Sequence, residues 1–135
     1  MRNFSIKTIS DADILEGLLE KIVEQIKTCS KAVAVFLFGS YAKDTEKPLS
    51  DVDIAVILKN PDPEAEAEIG SLYSQEIDVV LFHRLPVHIQ FEVLKYGREI
   101  FSRDEEYLFE KKLEVLRNYL ETSWIYQRIA SEVLR

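Results

Sequence analysis

One cysteine, Cys29, in 135 residues leaves no internal disulfide to be made and points to a reducing compartment, the cytoplasm by default. No apolar run approaches the roughly 20 residues of a membrane span. The opening Met1-Arg2-Asn3-Phe4 leads into polar residues instead of a hydrophobic secretion segment. Repeats and low-complexity tracts are missing, as is any linker that would separate domains. Only two histidines occur, His83 and His88, without metal-ligand spacing to each other or to Cys29. Basic residues are also short: 17 Lys and Arg stand against 24 Asp and Glu, for a net charge of −7. Binding to polymeric nucleic acid rests on neutralising phosphates with cations, so a long DNA or RNA partner is not expected. A single nucleotide held through metal ions still suits an acidic protein, because the metals supply the positive charge.

What is present describes a folded chain, with 47% hydrophobic and 10% aromatic residues. The length gives one domain with a real core. Ser10 caps a first helix whose Ile14, Leu15, Leu18, Leu19, Ile22, Val23 and Ile26 form one broad apolar stripe, ending near Cys29-Ser30. Residues 32–38 are apolar on both faces, as in a covered strand, and Gly39-Ser40 ends it. A polar loop with Pro48 follows. A second strand spans 51–58, a modest acidic helix 64–72 and a third strand 76–82. A further helix at 87–96 is capped by Gly97. A short strand at 98–102 and one long helix, or two in tandem, from 104 almost to 135 complete the chain. These elements predict an α/β (α+β) domain with a small mixed sheet packed by helices. It divides into a core at 1–103 and a C-terminal helical segment at 104–135.

The chemistry concentrates on three acids and one turn. Strand side chains alternate faces, so Asp51 and Asp53 point the same way, about 7 Å apart. Two carboxylates at the start of an otherwise apolar strand resist burial unless a cation accompanies them. Hard carboxylate oxygens suit Mg²⁺. Asp78 sits alone among apolar residues of the third strand, and it joins the same acidic face if the two strands are neighbours. Three carboxylates can then hold two metals about 4 Å apart. Gly39-Ser40 adds a turn that brings backbone N–H groups, and the Ser40 hydroxyl, close to a phosphate. Lys43 and Lys47 lie in the loop between turn and acids, where they either reach triphosphate oxygens or are simply solvated. Ser40 has no histidine–acid pairing that would make it a nucleophile.

Each piece is common, but the joint spacing is not: Gly39-Ser40, ten residues, then Asp51-Val52-Asp53, with Asp78 on the next strand. This resembles the DNA-polymerase-beta-like nucleotidyltransferase superfamily. Within it, Gly39-Ser40-Tyr41-Ala42-Lys43 and Ser50-Asp51-Val52-Asp53-Ile54-Ala55-Val56 are similar to the minimal nucleotidyltransferases, the MntA-like antitoxins. The stretch from Phe91 to Phe101 and the long closing helix extend the resemblance over most of the chain. One departure stands out: the family carries glycine where this chain has Asp44, which adds a negative charge near the expected triphosphate.

The resemblance implies a palm-like nucleotidyltransferase fold and a metal-dependent transfer of AMP from ATP, with two Mg²⁺ ions. Asp51 and Asp53 would hold the metals, and Asp78 would complete the second site and help deprotonate the acceptor. Gly39 and Ser40, with Lys43 nearby, would bind the phosphates. The implied partner is a HEPN ribonuclease toxin of a type VII toxin–antitoxin pair, with a toxin tyrosine as acceptor. Transfer to a small molecule such as an aminoglycoside, and neutralisation by binding alone, are the competing readings. The closing helix carries two apolar stripes. One is expected to cover the first helix, and the other is available to a partner or a second copy.

Overall fold

The computed structural model describes residues 11–39, 52–72 and 74–134. In chain order these form α1 (Asp11–Lys27), β1 (Ala32–Phe38), β2 (Val52–Leu58), α2 (Pro63–Gly70), β3 (Ile77–Leu81), a 3-10 turn (Phe82–Arg84), α3 (Val87–Tyr96), β4 (Arg98–Ser102) and α4 (Glu105–Val133). The strands make one mixed sheet in the order β3-β2-β1-β4. β1 runs antiparallel to both neighbours, while β2 and β3 are parallel. A parallel pair needs a crossover, and α2 supplies it.

Strand alternation splits the core into two layers. On one face Val52, Ile54, Val56 and Leu58 of β2 pack with Val35, Leu37 and Ile77 against Ile22, Val23 and Ile26 of α1 and Ala65 and Ile69 of α2. On the other, Ala55 and Ile57 join Phe36, Phe82 and Val93, with Leu108 and Val115 of α4. The wholly apolar runs of β1 and β2 follow from this: both faces of the central strands are covered.

One expectation is corrected: α4 packs on α3 and β1, not on α1. The sheet lies between them, because the sheet face bearing Ala34, Phe36, Ala55 and Ile57 needs its own cover. Phe91 of α3 stacks on Tyr119 of α4 with ring centroids 3.8 Å apart. Gly97 caps α3 as expected, its amide donating to the Val93 carbonyl at 2.8 Å, in extended backbone (φ −72°, ψ 159°). Glycine is needed there for space: a Cβ would collide with the Val93 carbonyl oxygen and lie 2.9 Å from that of Leu37.

The elements otherwise form where the sequence placed them. Asp62 caps α2, its carboxylate accepting from the Ala65 amide at 2.8 Å, with Pro63 at the first helical position. Asp104 caps α4 in the same way from the Tyr107 amide, at 3.0 Å. The N-cap expected at Ser10 lies outside the described residues. No helix among the described residues is long and apolar enough to cross a membrane.

Candidate active site

The site is built at the end of the sheet where β1 leaves and β2 enters. Val52, Ile54 and Val56 bury into the α1 layer, so alternation turns Asp53 to the α3 face. Its cross-strand partners are Phe38 of β1 on one side and Asp78 of β3 on the other. The condition attached to Asp78 is therefore met: the two strands are neighbours and the two aspartates stand in register. Adjacent strands lie about 4.8 Å apart, so two carboxylates at matched positions repel unless a cation accompanies them. Asp53 is half-buried and Asp78 exposed, which leaves the pair open to solvent on one side.

Gly39 closes the other flank. Its φ of +85° lies in the left-handed region, and a Cβ placed on it would stand 2.8 Å from Asp53 Oδ2. Only glycine serves both the turn and the carboxylate that leans on it. The structure thus brings together Gly39, Asp53 and Asp78 among the residues the sequence singled out. Ser40, Lys43 and Asp51, with Asp44 and Lys47, lie outside the described residues. Among the described residues no group of three or more His, Cys, Asp or Glu side chains is arranged to hold a metal. The donor chemistry of the pair nonetheless fits a hard divalent ion, which uses one or two carboxylates and fills its remaining positions with water and phosphate oxygens.

The sequence reading missed a cavity of about 190 Å³ beside Gly39, between the end of β1 and the flank of α3. Ile89, Glu92, Val93 and Tyr96 line it at helical spacing, with Phe38 and Gly39 opposite. Those four share one helix face, a legible pattern; that the face looks onto the Gly39 turn required the sheet topology.

This site lies within a region of recognisable kinship. Residues 20–106 match the family described as polymerase beta, nucleotidyltransferase, which is more than half of the chain, and the protein belongs to that family. It is therefore of the nucleotidyltransferase class, on a mixed-sheet nucleotidyltransferase fold. A relative in Methanocaldococcus jannaschii, named as a candidate protein adenylyltransferase, is 32% identical over 77 residues. That match covers 57% of this chain and 62% of the relative's length. In fold the chain is similar to one in a crystal structure of a toxin–antitoxin with AMP-PNP, with a TM-score of 0.65 at 24% identity over 86% of this chain and 98% of that one. It is likewise similar to one in the tri-AMPylated Shewanella oneidensis HEPN toxin in complex with its MNT antitoxin, with a TM-score of 0.63 at 20% identity. That likeness covers 89% of this chain and 98% of the other.

Proposed function

We propose that this protein transfers AMP from ATP to a hydroxyl of a partner protein, acting as the antitoxin of a HEPN toxin, with a toxin tyrosine as acceptor. The observation that carries the reading is the register of Asp53 with Asp78 beside Gly39, inside the family match. The toxin–antitoxin complexes among its fold neighbours support the choice of acceptor class.

In this reaction the acceptor oxygen attacks the α-phosphorus, the bond to pyrophosphate breaks, and the hydroxyl proton passes to a carboxylate, Asp78 in our assignment. Asp51, Asp53 and Asp78 would hold two Mg²⁺ ions, which supply charge neutralisation at the phosphates. The turn at Gly39 and Ser40 orients the β- and γ-phosphates through backbone N–H groups, with Lys43 within the same loop.

A protein acceptor is favoured over a small molecule by the trailing half of α4. Beyond Ser123 every described residue is exposed, and Trp124, Tyr126, Ile129 and Val133 present apolar surface of the kind found at protein interfaces. The same surface would serve a protein that neutralises its partner by binding alone. The experiment incubates the protein with the HEPN protein encoded beside it, ATP and Mg²⁺, and weighs the products. One or more AMP added to a toxin tyrosine, and none with Asp53→Asn, is the expected result. A toxin that is inhibited yet unmodified overturns transfer and leaves binding as the function.

A further inference from the structure

The leading part of α4 carries an apolar stripe that the fold leaves uncovered. We infer that two copies of this chain associate through it, their α4 helices lying antiparallel about a twofold axis at Leu116. Such pairing goes beyond AMP transfer and does not depend on it. It also uses a different face of α4 from Tyr126, Ile129 and Val133, which continue the Val115 side of the helix.

Position comes first. Phe109, Leu113, Leu116, Leu120 and Trp124 recur at steps of four and three residues. At 3.6 residues per turn they fall within about 80° of one another, on the side away from Leu108 and Val115. Those two are buried in the layer over the sheet, whereas the five are between 43% and 61% exposed. One apolar side chain left that open is ordinary, but five along roughly 22 Å of helix make a continuous patch. Steps of four and three are also the spacing with which a second helix lies along the first.

Size and symmetry choose the occupant. The exposed parts of the five side chains amount to on the order of 500 Å², the upper end of what a monomer leaves as one patch. Slightly more than half of an ordinary interface is apolar. With a polar rim in that proportion, the surface approaches the roughly 800 Å² per partner of a stable complex. Along the helix the stripe reads nearly the same in both directions. Leu113 and Leu120 are equidistant from a point between Leu116 and Arg117, and so are Phe109 and Trp124. Antiparallel pairing therefore sets leucine against leucine and Phe109 against Trp124, with Leu116 at the axis. The same patch serves both copies, as a twofold contact requires.

The charges along one border agree. Glu106 and Glu110 flank the Phe109 end, and Arg128, whose guanidinium lies 5.4 Å from the centre of the Trp124 ring, flanks the other. Reversal brings each acidic end to a basic one, while a parallel pair would set like against like. Arg117 stands near the axis, with Glu121 one turn away to offset it. The net charge of −7 opposes pairing at long range, but physiological salt screens it beyond about 8 Å.

Sedimentation equilibrium of the full chain from about 1 to 300 µM tests the pairing, a range that spans the weak end for interfaces of this size. Wild type is expected to pass from monomer to dimer across it. Leu113→Glu/Leu120→Glu is expected to weaken the dimer about 100-fold or more. Melting temperature of the dilute protein and AMP transfer per molecule should not change, because both positions are exposed in the monomer. Orientation has its own readout under mild oxidation. Leu116→Cys is expected to crosslink to itself and Phe109→Cys to Trp124→Cys in a mixture, while Phe109→Cys alone stays uncrosslinked. The native Cys29 is buried and gives no background. Self-crosslinking of Phe109→Cys overturns the antiparallel arrangement. Wild type that stays monomeric to the top of the range overturns the pairing, as does a dimer that the double substitution leaves unmoved. A monomer that loses the HEPN protein encoded beside it on Leu113→Glu/Leu120→Glu also overturns the pairing, and gives the stripe to that partner.

Discussion

The two ends of the sheet are made differently. At the Leu58 end, opposite charges and hydrogen bonds tie together elements that are distant in the chain. Lys31 pairs with Asp62 at 2.7 Å, Lys59 with Asp104 at 3.2 Å, and the Tyr107 hydroxyl donates to the Leu58 carbonyl. The Arg103 guanidinium donates to the carbonyls of Lys27 and Cys29, fastening the exit of β4 to the end of α1. At the other end two aspartates stand in register and a glycine holds a left-handed turn against one of them. Stability is supplied at one end, and at the other the chain keeps like charges and backbone strain together. An arrangement that costs stability where it stands is what the proposed cation and phosphate site requires.

The comparison predicts that catalytic and structural losses separate. Asp53→Asn should have the largest effect, lowering AMP transfer by about 10³-fold or more, since a charged group aimed at the reacting centre is lost. Its melting temperature should change little, since asparagine is isosteric and the position is only half-buried. A variant that loses transfer only in proportion to lost folded protein would show that the aspartate is structural. Gly39→Ala comes next. The new Cβ meets Asp53 Oδ2, and the left-handed backbone costs an L-residue about 1–2 kcal/mol. Transfer should fall about 100-fold from the displaced carboxylate, with only that modest loss of stability. Equal kinetics in Gly39→Ala and wild type would remove Gly39 from the site.

In the second sheet layer the order inverts. Val115 of α4 is 2% exposed among Phe36, Val93 and Leu108. Val115→Ala should cost about 2 kcal/mol in denaturant unfolding, with kcat per folded molecule unchanged. A fall in kcat at full folding would mean that α4 positions the site as well as covering the sheet.

These contrasts also explain what was legible in the sequence. β1 and β2 were, because strands covered on both faces must be apolar throughout, and Asp51, Asp53 and Asp78 stand out against that background. The meeting of Asp53 with Asp78 was legible only as a condition, since a strand's neighbour is a long-range fact that local pattern does not contain. Gly97 was legible as the cap of α3, but the second reason for glycine there, the close carbonyl of Leu37 sixty residues earlier, was not. The destination of α4 was misjudged because an apolar stripe states that it must be covered and not by what. The cavity beside Gly39 combines both difficulties, joining a helix face to the end of a strand some fifty residues away in the chain.

The smallest expected effect sharpens the comparison through pH. Glu66 of α2 accepts from Arg84 at 2.7 Å and pairs with His83 at 2.6 Å, and these two partners hold its carboxyl below the ordinary glutamate value. Lys31, with the Ala65 amide, does the same for Asp62; the Tyr107 amide, with Lys59, does so for Asp104. A carboxyl whose pKa is lower in the folded than in the unfolded chain binds fewer protons when folded. Its stabilisation is complete above the unfolded value and is lost as pH falls through the folded one. The acid limb of stability should therefore begin as pH drops below the ordinary carboxylate range, about 4. Arg84→Met removes the larger cause at Glu66. Its melting temperature should lie slightly under that of wild type at pH 7, and the two should converge as pH falls through the lowered folded-state value of Glu66. The gap is small because Arg84 is 67% exposed and solvent screens the pair. Asp53→Asn should leave that gap intact, since these ion pairs lie apart from Asp53 and Asp78. A gap that instead persists unchanged through the whole acid limb would assign the contribution of Arg84 to packing of its stem and not to its charge.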